Sequence, residues 1–301
     1  YYPGPSRKKY KKIGDGASST VYMAYQRKTK KVFAAKVFKE LQSMDDPLVT
    51  RKNFRREINT LVNLKNKLFI KLHGYAMRSL VDPNIRTPTI IMDFLPNKSL
   101  DDAIKNHPEW FDDTVKMKAL IGISKGMSCL HRRKIIHRDL KPENIFFDKN
   151  YEIKIGDLGC SRPCQPDNPA VTPSIGTPLY LPPELINQKG NYSFEVDIYP
   201  FGFIFLEILT GEKTKPSNNS IYNYQRQVLR GMRPSIPDNI DENLKQLIQL
   251  LWSGNINDRP LYSEVYAFLK AVYKSPSPPP FLPKVNVELV NEYIDKLERI
   301  K

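Results

Sequence analysis

Cysteine is scarce: the 301 residues hold three, Cys129, Cys160 and Cys164. So odd and sparse a set excludes a disulfide framework and suits a reducing compartment. Cys160 and Cys164 are near each other but have no Cys or His companion close by, so both read as free buried thiols rather than metal ligands. No run of about 18 apolar residues occurs, which leaves no candidate for a membrane-spanning helix. A charged-then-apolar leader is also missing, and Tyr1 in place of Met reads as the start of a fragment. These absences together give a cytoplasmic expectation. No internal repeat and no nucleic-acid motif appears, so no specific nucleic-acid partner is expected.

Hydrophobic residues make up 40% of the chain, ample for a buried core, and the formal charge is +15. That charge is lopsided. Residues 1–93 hold 20 Lys and Arg against 7 Asp and Glu, whereas the rest holds 27 against 25. Arg7–Lys12 and the stretch from Arg27 to Lys39 dominate the excess. A basic face attracts an acidic partner or an anionic membrane. The plainer reading is a solvated basic lobe that helps to hold polyphosphate, and the missing nucleic-acid motif favours it.

Residues 1–9 read as a basic extension. Strand-like runs follow at Tyr10–Gly14, Val21–Gln26 and Val32–Phe38. Asn53–Leu64 has the helical spacing of Phe54, Ile58, Leu61 and Val62. Lys71–Met77 and Thr89–Phe94 read as two further strands. After Pro96 the character turns helical. Helices are expected within Trp110–Arg132 and at Val196–Leu209, Leu244–Trp252 and Tyr262–Tyr273, with short strands at Ile145–Phe147 and Ile153–Ile155. Val196–Leu209 is apolar nearly all round and reads as buried. Pro200 inside it removes a helical N–H and predicts a local kink or a first-turn adjustment. Ser275–Pro280 breaks the last of these helices and favours extended polyproline geometry, offering an SH3/WW-type partner a ligand at Pro276–Pro283. Val285–Ile300 reads as an amphipathic tail helix, docked on its own domain or on a partner, the former favoured.

His137-Arg138-Asp139-Leu140-Lys141-Pro142-Glu143-Asn144 is followed by Asp157-Leu158-Gly159. Within a short span lie a candidate base (Asp139), a cation (Lys141) and two oxygen donors for a hard metal (Asn144, Asp157). Phosphoryl transfer needs mainly positioning and charge stabilisation, so this set is close to complete. The octapeptide matches H-R-D-L-x-x-x-N, and Asp-Leu-Gly stands where D-F-G is expected. Here the chain resembles the eukaryotic protein kinases, and Lys141-Pro142 resembles their serine/threonine branch. The resemblance spans residues 10–273 and implies an α+β bilobal fold. A small antiparallel sheet lobe with one helix (10–94) precedes a large helical lobe (95–273), with a Pro-rich linker and tail at 274–301. The two lobes would frame a nucleotide cleft.

Further motifs follow in the family's order. Gly14-Asp15-Gly16-Ala17-Ser18-Ser19-Thr20-Val21 resembles the glycine-rich loop, with Ser19 in place of the third glycine. Phe33-Ala34-Ala35-Lys36 stands for V-A-I-K, and Glu57 is the natural anion for Lys36. Met92 falls at the gatekeeper position, and the backbone of Asp93 and Leu95 would bind the adenine edge. The resemblance thus implies an ATP site of Ile13, Gly14, Gly16, Val21, Ala34, Lys36, Glu57, Met92, Asp93, Leu95 and Phe146, with Mg²⁺ on Asn144 and Asp157. Asp139 would accept the substrate hydroxyl proton, Lys141 would stabilise the moving phosphoryl group, and Thr177 would position the acceptor. Leu61, Leu72, Leu158 and His137 would form an apolar stack.

Gly176–Glu184 resembles the G-T-x-x-Y-x-A-P-E segment, with Pro182 replacing Ala, and Glu184 would pair with Arg259. Asp197 would hold the catalytic-loop backbone. Arg138 would pair with a phosphate on Thr172 or Ser174, which full activity would require. Asp258-Arg259-Pro260 with Trp252 looks like the tyrosine-kinase-like group. The implied activity is transfer from Mg-ATP to Ser or Thr of protein substrates. A pseudokinase scaffold is the competing reading, but Lys36, Asp139, Asn144 and Asp157 are all present. A small-molecule phosphotransferase fits poorly with Gly176–Glu184.

Overall fold

The structure, a computed structural model, describes residues 11–16, 18–39, 47–80, 87–164, 176–187, 193–216, 220–276 and 281–300, the side chains of 47–50 excepted. The chain divides into two compact units. The first holds the described residues up to Pro96 together with Asp157–Gly159; the second holds Asn97–Gly156 and the rest.

The first unit is one antiparallel sheet and one helix. Strands β1 (Lys12–Asp15), β2 (Ser19–Tyr25), β3 (Val32–Phe38), β4 (Leu72–Ala76) and β5 (Thr89–Asp93) lie in the order β1-β2-β3-β5-β4. β-Branched and aromatic residues dominate β2 and β3, as a half-buried pleated surface favours. Their register pairs Val21 with Lys36, and β3 sets Lys36 opposite Ile90 on β5. Two register shifts fall beside glycines, between Lys12 and Gly14 and between Leu72 and Gly74. The first leaves Ile13 unpaired and exposed.

Helix α1 (Pro47–Asn63) begins well before the expected Asn53. Its buried stripe is Phe54, Glu57, Ile58 and Leu61. The stripe has helical spacing, so burying the apolar members carries Glu57 inward with them. In the sequence the helical spacing of apolar residues is clear only from Phe54 on, which is why periodicity alone started the helix late.

In the second unit, helix α2 (Leu100–Asn106) starts at a Ser99–Asp102 capping box and was not foreseen. Helix α3 (Asp113–Arg132) is capped by Asp112, whose carboxylate accepts from Val115 N at 2.9 Å. Strands β6 (Ile135–Ile136), β7 (Ile145–Phe147) and β8 (Ile153–Ile155) follow; β7 pairs with β8, and β6 with β9 (Arg162–Pro163). Then come α4 (Pro183–Ile186), α5 (Glu195–Thr210), α6 (Ile221–Leu229), α7 (Glu242–Leu251), α8 (Tyr262–Lys274) and α9 (Val287–Glu298).

Helix α5 is buried along nearly its whole length and ends at Gly211, whose φ of 73° only glycine adopts cheaply. It runs through Pro200, so the missing N–H does not end it. Helix α9 packs on α3 and α8, the own-domain docking that the tail's amphipathic pattern favoured.

Candidate active site

Lys36 projects from β3 to Glu57 on α1, with Nζ 2.9 Å from both carboxylate oxygens. A third contact runs 2.8 Å to Asp157 Oδ1. The Lys36 and Glu57 side chains are 8% and 3% exposed, while that of Asp157 is 43% exposed. Burial pulls the Lys36 pKa down, but the charges of Asp157 and Glu57 outweigh it and hold the ammonium above its ordinary value. Burial pushes Glu57 up, against the pull of Lys36. The ammonium thus faces two carboxylates at hydrogen-bond distance. Asp157 adopts φ 51°, a left-handed conformation that a non-glycine residue takes only where its surroundings demand it.

In the glycine-rich loop, Gly14 and Gly16 both have ordinary φ, and a Cβ on either would meet its nearest neighbour at 3.6 Å. The fold therefore does not itself require glycine at either position. Their missing side chains leave backbone open to close approach by a polyphosphate. Asp15 ties this loop down through Lys12 (2.7 Å), Lys39 (3.0 Å) and Thr20 (2.9 Å), and those bonds keep its carboxyl well below the ordinary range. Val21 is half-buried, Ala34 is buried, and Met92, Asp93 and Leu95 are half-buried. The Asp93 carboxylate accepts from Lys71 N and meets His73 Nε2 at 2.6 Å, fixing the end of β5. Of the expected stack, Leu61 and Leu158 are buried and Leu72 is half-buried in the first unit, and His137 is buried in the second.

The second unit carries its own cluster. Asp139 is half-buried; its Oδ1 accepts from Thr177 Oγ1 at 3.0 Å, and its Oδ2 lies 2.9 Å from Lys141 Nζ. Lys141 also donates to Thr177 Oγ1 at 2.8 Å, closing a triangle. The Asn144 amide nitrogen donates to Asp139 O at 2.8 Å and Oδ2 at 3.2 Å. Its nitrogen thus committed, Asn144 offers its amide oxygen to a cation. Phe146 is half-buried on β7.

This loop hangs on Asp197, which is fully buried near the start of α5. Its carboxylate accepts from His137 N and Arg138 N, both at 2.7 Å, and meets His131 Nε2 at 2.9 Å. Burial pushes the Asp197 carboxyl up, yet the hydrogen bond and charge of His131 and the Arg138 N–H prevail and hold it low. Arg138 has φ 68°, and its Nε donates to Cys160 O at 2.7 Å. His137 Nε2 meets Gly156 O at 3.1 Å. Gly176, at φ 116°, has room for nothing larger: a Cβ would stand 3.1 Å from Arg138 O. Beyond Thr177, Arg259 forks onto Glu184 at 2.7 and 2.9 Å.

Two expectations need correction or bounding. Neither Cys160 nor Cys164 is in a disulfide, but both are half-buried rather than buried; Cys129, on α3, is buried. Thr172 and Ser174 lie outside the described residues, as do the basic extension 1–9, Ala17 and Ser277–Pro280. One cluster was missed. Tyr180 Oη donates to Glu207 at 3.1 Å, and Lys213 reaches Tyr180 Oη (2.9 Å), Asp101 (3.1 Å) and Glu207 (3.5 Å). Burial raises both the Tyr180 phenol and the Glu207 carboxyl. The signal was available: Glu207 is the one charged residue in the apolar run from Ile198 to Leu209.

A model of the protein kinase domain matches residues 7–268. The chain belongs to the protein kinase domain family. A probable serine/threonine-protein kinase of Dictyostelium discoideum is 31% identical over 230 residues, 73% of this chain. A serine/threonine-protein kinase of Arabidopsis thaliana is 30% identical over 241 residues, 80% of this chain. A putative serine/threonine-protein kinase/receptor of Acanthamoeba polyphaga mimivirus is 31% identical over 217 residues, 70% of this chain. The kinase domain described here spans 16%, 40% and 13% of these relatives' own lengths. ATP as substrate and Mg²⁺ as cofactor are general to the family. Among the described residues no helix is long and apolar enough to cross a membrane.

Proposed function

We propose that this domain transfers the γ-phosphate of Mg-ATP to Ser and Thr hydroxyls of protein substrates. The observation that carries the reading is the closed triangle of Asp139, Lys141 and Thr177. Asp139 takes the hydroxyl proton as the acceptor oxygen bonds to the γ-phosphorus. The bond from that phosphorus to the β–γ bridging oxygen breaks, and ADP leaves. Lys141 neutralises charge on the transferring group, and Thr177 sets the acceptor against Asp139. Transfer through a loose transition state rests on such positioning and charge stabilisation.

From the first unit, Lys36, steadied by Glu57, meets the α and β phosphates. Gly14 and Gly16 let the backbone approach them, while Ile13, Val21, Ala34, Met92, Asp93 and Leu95 contact the adenine. From the second unit, Phe146 contacts the adenine. Asn144 and Asp157 offer the hard oxygen donors that Mg²⁺ prefers, so they would hold it. When bound, the ion supplies positive charge against the phosphates. The pseudokinase reading is not favoured, because none of these groups is missing. Placement in the tyrosine-kinase-like group rests on Asp258-Arg259-Pro260 and Trp252, the latter packed edge-on against Phe203.

The location we propose is cytoplasmic, supported by the sparse cysteines. The basic excess of residues 1–93 would attract an acidic partner or an anionic membrane, and Pro276–Pro283 an SH3/WW-type domain. The test is incubation with Mg-ATP followed by phosphosite mapping, with Asp139→Asn as control. Phosphate on Ser and Thr of an added protein substrate, lost in the variant, is the expected result. Equal incorporation by both proteins overturns the proposal.

A further inference from the structure

The family match ends at residue 268, yet the chain beyond it is built into the second unit. Phe281 and Leu282 are buried, and Phe281 stacks on Phe268 of α8. Two backbone N–H groups tie the approach to α9 onto the start of α3: Lys284 N donates to Asp113 and Asn286 N to Thr114, both at 3.0 Å. On α9 itself Val290, Tyr293, Ile294 and Leu297 are buried at helical spacing.

Tyr293 stands where three elements meet. Gly122 on α3 has no side chain, and a Cβ there would lie 2.5 Å from Tyr293 Oη and 2.7 Å from Ile153 Cγ1 of β8. Glycine on α3 therefore makes the slot that α9 fills, and Ile153 forms its far wall. Salt bridges fasten both sides. Lys296 of α9 reaches Glu152, next to β8, at 2.7 Å. Glu298 reaches Lys125 on α3 at 3.3 Å, and Tyr266 and Lys270 on α8 at 2.6 and 2.8 Å.

The two elements so fastened are those that bound the catalytic loop. Helix α3 leads into it and supplies His131 to the Asp197 carboxylate that holds the loop backbone. Strand β7 begins directly after Asn144, and Gly156, just past β8, donates its N–H to Asn144 O at 2.8 Å. We propose that α9 is a positioning element for the catalytic loop: by fastening α3 to the β7–β8 hairpin it holds fixed both ends of the segment that carries Asp139 and Asn144. Tyr293 is its key positioning residue, through its ring. The Tyr293 hydroxyl is buried without a hydrogen-bond partner among the described residues, so it adds nothing to the hold.

The proposal rests on the kinase reading for its kinetic consequence but not for its structural one, and the test separates them. Amide exchange of residues 136–144 is compared in the full chain with that of α5. In Tyr293→Ala, exchange in 136–144 rises about tenfold against unchanged α5 amides. The kcat for a peptide substrate, measured well below the melting midpoint, falls about tenfold with KM for ATP unchanged, because loss of positioning acts on the chemical step. Tyr293→Phe restores both. Should Tyr293→Ala not fold, Ile294→Val decides: the same amides exchange about threefold faster. Unchanged exchange in 136–144, or equal acceleration throughout α5, overturns the proposal. A parent protein without transferase activity overturns the proposed function alone, and the exchange result still stands.

Discussion

Two clusters of charged residues carry the chemistry we propose, and they are held in opposite ways. In the first unit Lys36, Glu57 and Asp157 form an ionic knot whose core is nearly dry, with Lys36 and Glu57 side chains 8% and 3% exposed. In the second, Asp139 and Lys141 are 13% and 22% exposed, and hydrogen bonds to Thr177 and Asn144 complete the set. The knot depends on charge balance, because a buried ion without its partner cannot recover its lost hydration. The catalytic loop depends on its backbone anchor, Asp197, and its working side chains are free of that constraint. One region can therefore lose a functional side chain at little cost to its stability; the other is strongly destabilised by the same loss.

The sharpest break of that contrast is Asp139→Asn. The amide keeps the size of the carboxylate and the acceptor for Thr177, so the protein stays folded and binds ATP. Losing the base lowers kcat by about 10²–10⁴-fold. Steady-state phosphate transfer and nucleotide titration measure the two quantities separately. If Asp139→Asn also unfolds the protein, Asp139 is a structural member and the contrast fails.

Lys36→Met tests the other side. It leaves the buried Glu57 without its cation and facing Asp157, and stability falls by about 3–5 kcal/mol. Adding Glu57→Leu removes the stranded charge and recovers most of that loss, while the activity does not return. Urea unfolding of the parent, the single and the double variants reads the coupling. A double variant no more stable than Lys36→Met would show that packing, not charge, holds α1 to the sheet.

The same contrast explains what could be read from the sequence. Lys36 and Glu57 lie 21 residues apart on elements that periodicity shows, but it was the resemblance to the kinase motifs that made their meeting legible. The same resemblance pointed to the Asp197 anchor. The register of β1 was not legible, since a bulge beside Gly14 leaves no periodic trace. Nor was α2, whose seven residues are too short for a periodic signal, although Ser99 and Asp102 spell its cap. The Glu207–Lys213–Tyr180 cluster escaped because its members are ordinary by type and become special only through burial. The half-burial of Cys160 and Cys164 depends on where a loop runs, which composition does not encode.

The tail offers the mildest test, and it turns on pH. Hydrogen bonds from Lys270 and Tyr266 pull the Glu298 carboxyl from 4.5 down to about 2. A carboxyl whose folded pKa is depressed adds stability that is full above its unfolded value and fades as pH falls toward the folded one. For Glu298 the window runs from about 4.5 down to about 2. The side chain is 40% exposed, so solvent screens the interaction and the gain is at most about 1 kcal/mol. In Glu298→Gln the melting midpoint therefore falls slightly at pH 7, and the gap to the parent narrows as the pH drops through that window. Calorimetry at several pH values would show this convergence. A gap that stays constant with pH would mean that the glutamine costs packing rather than charge, and that Val290, Tyr293, Ile294 and Leu297 alone hold α9 in place.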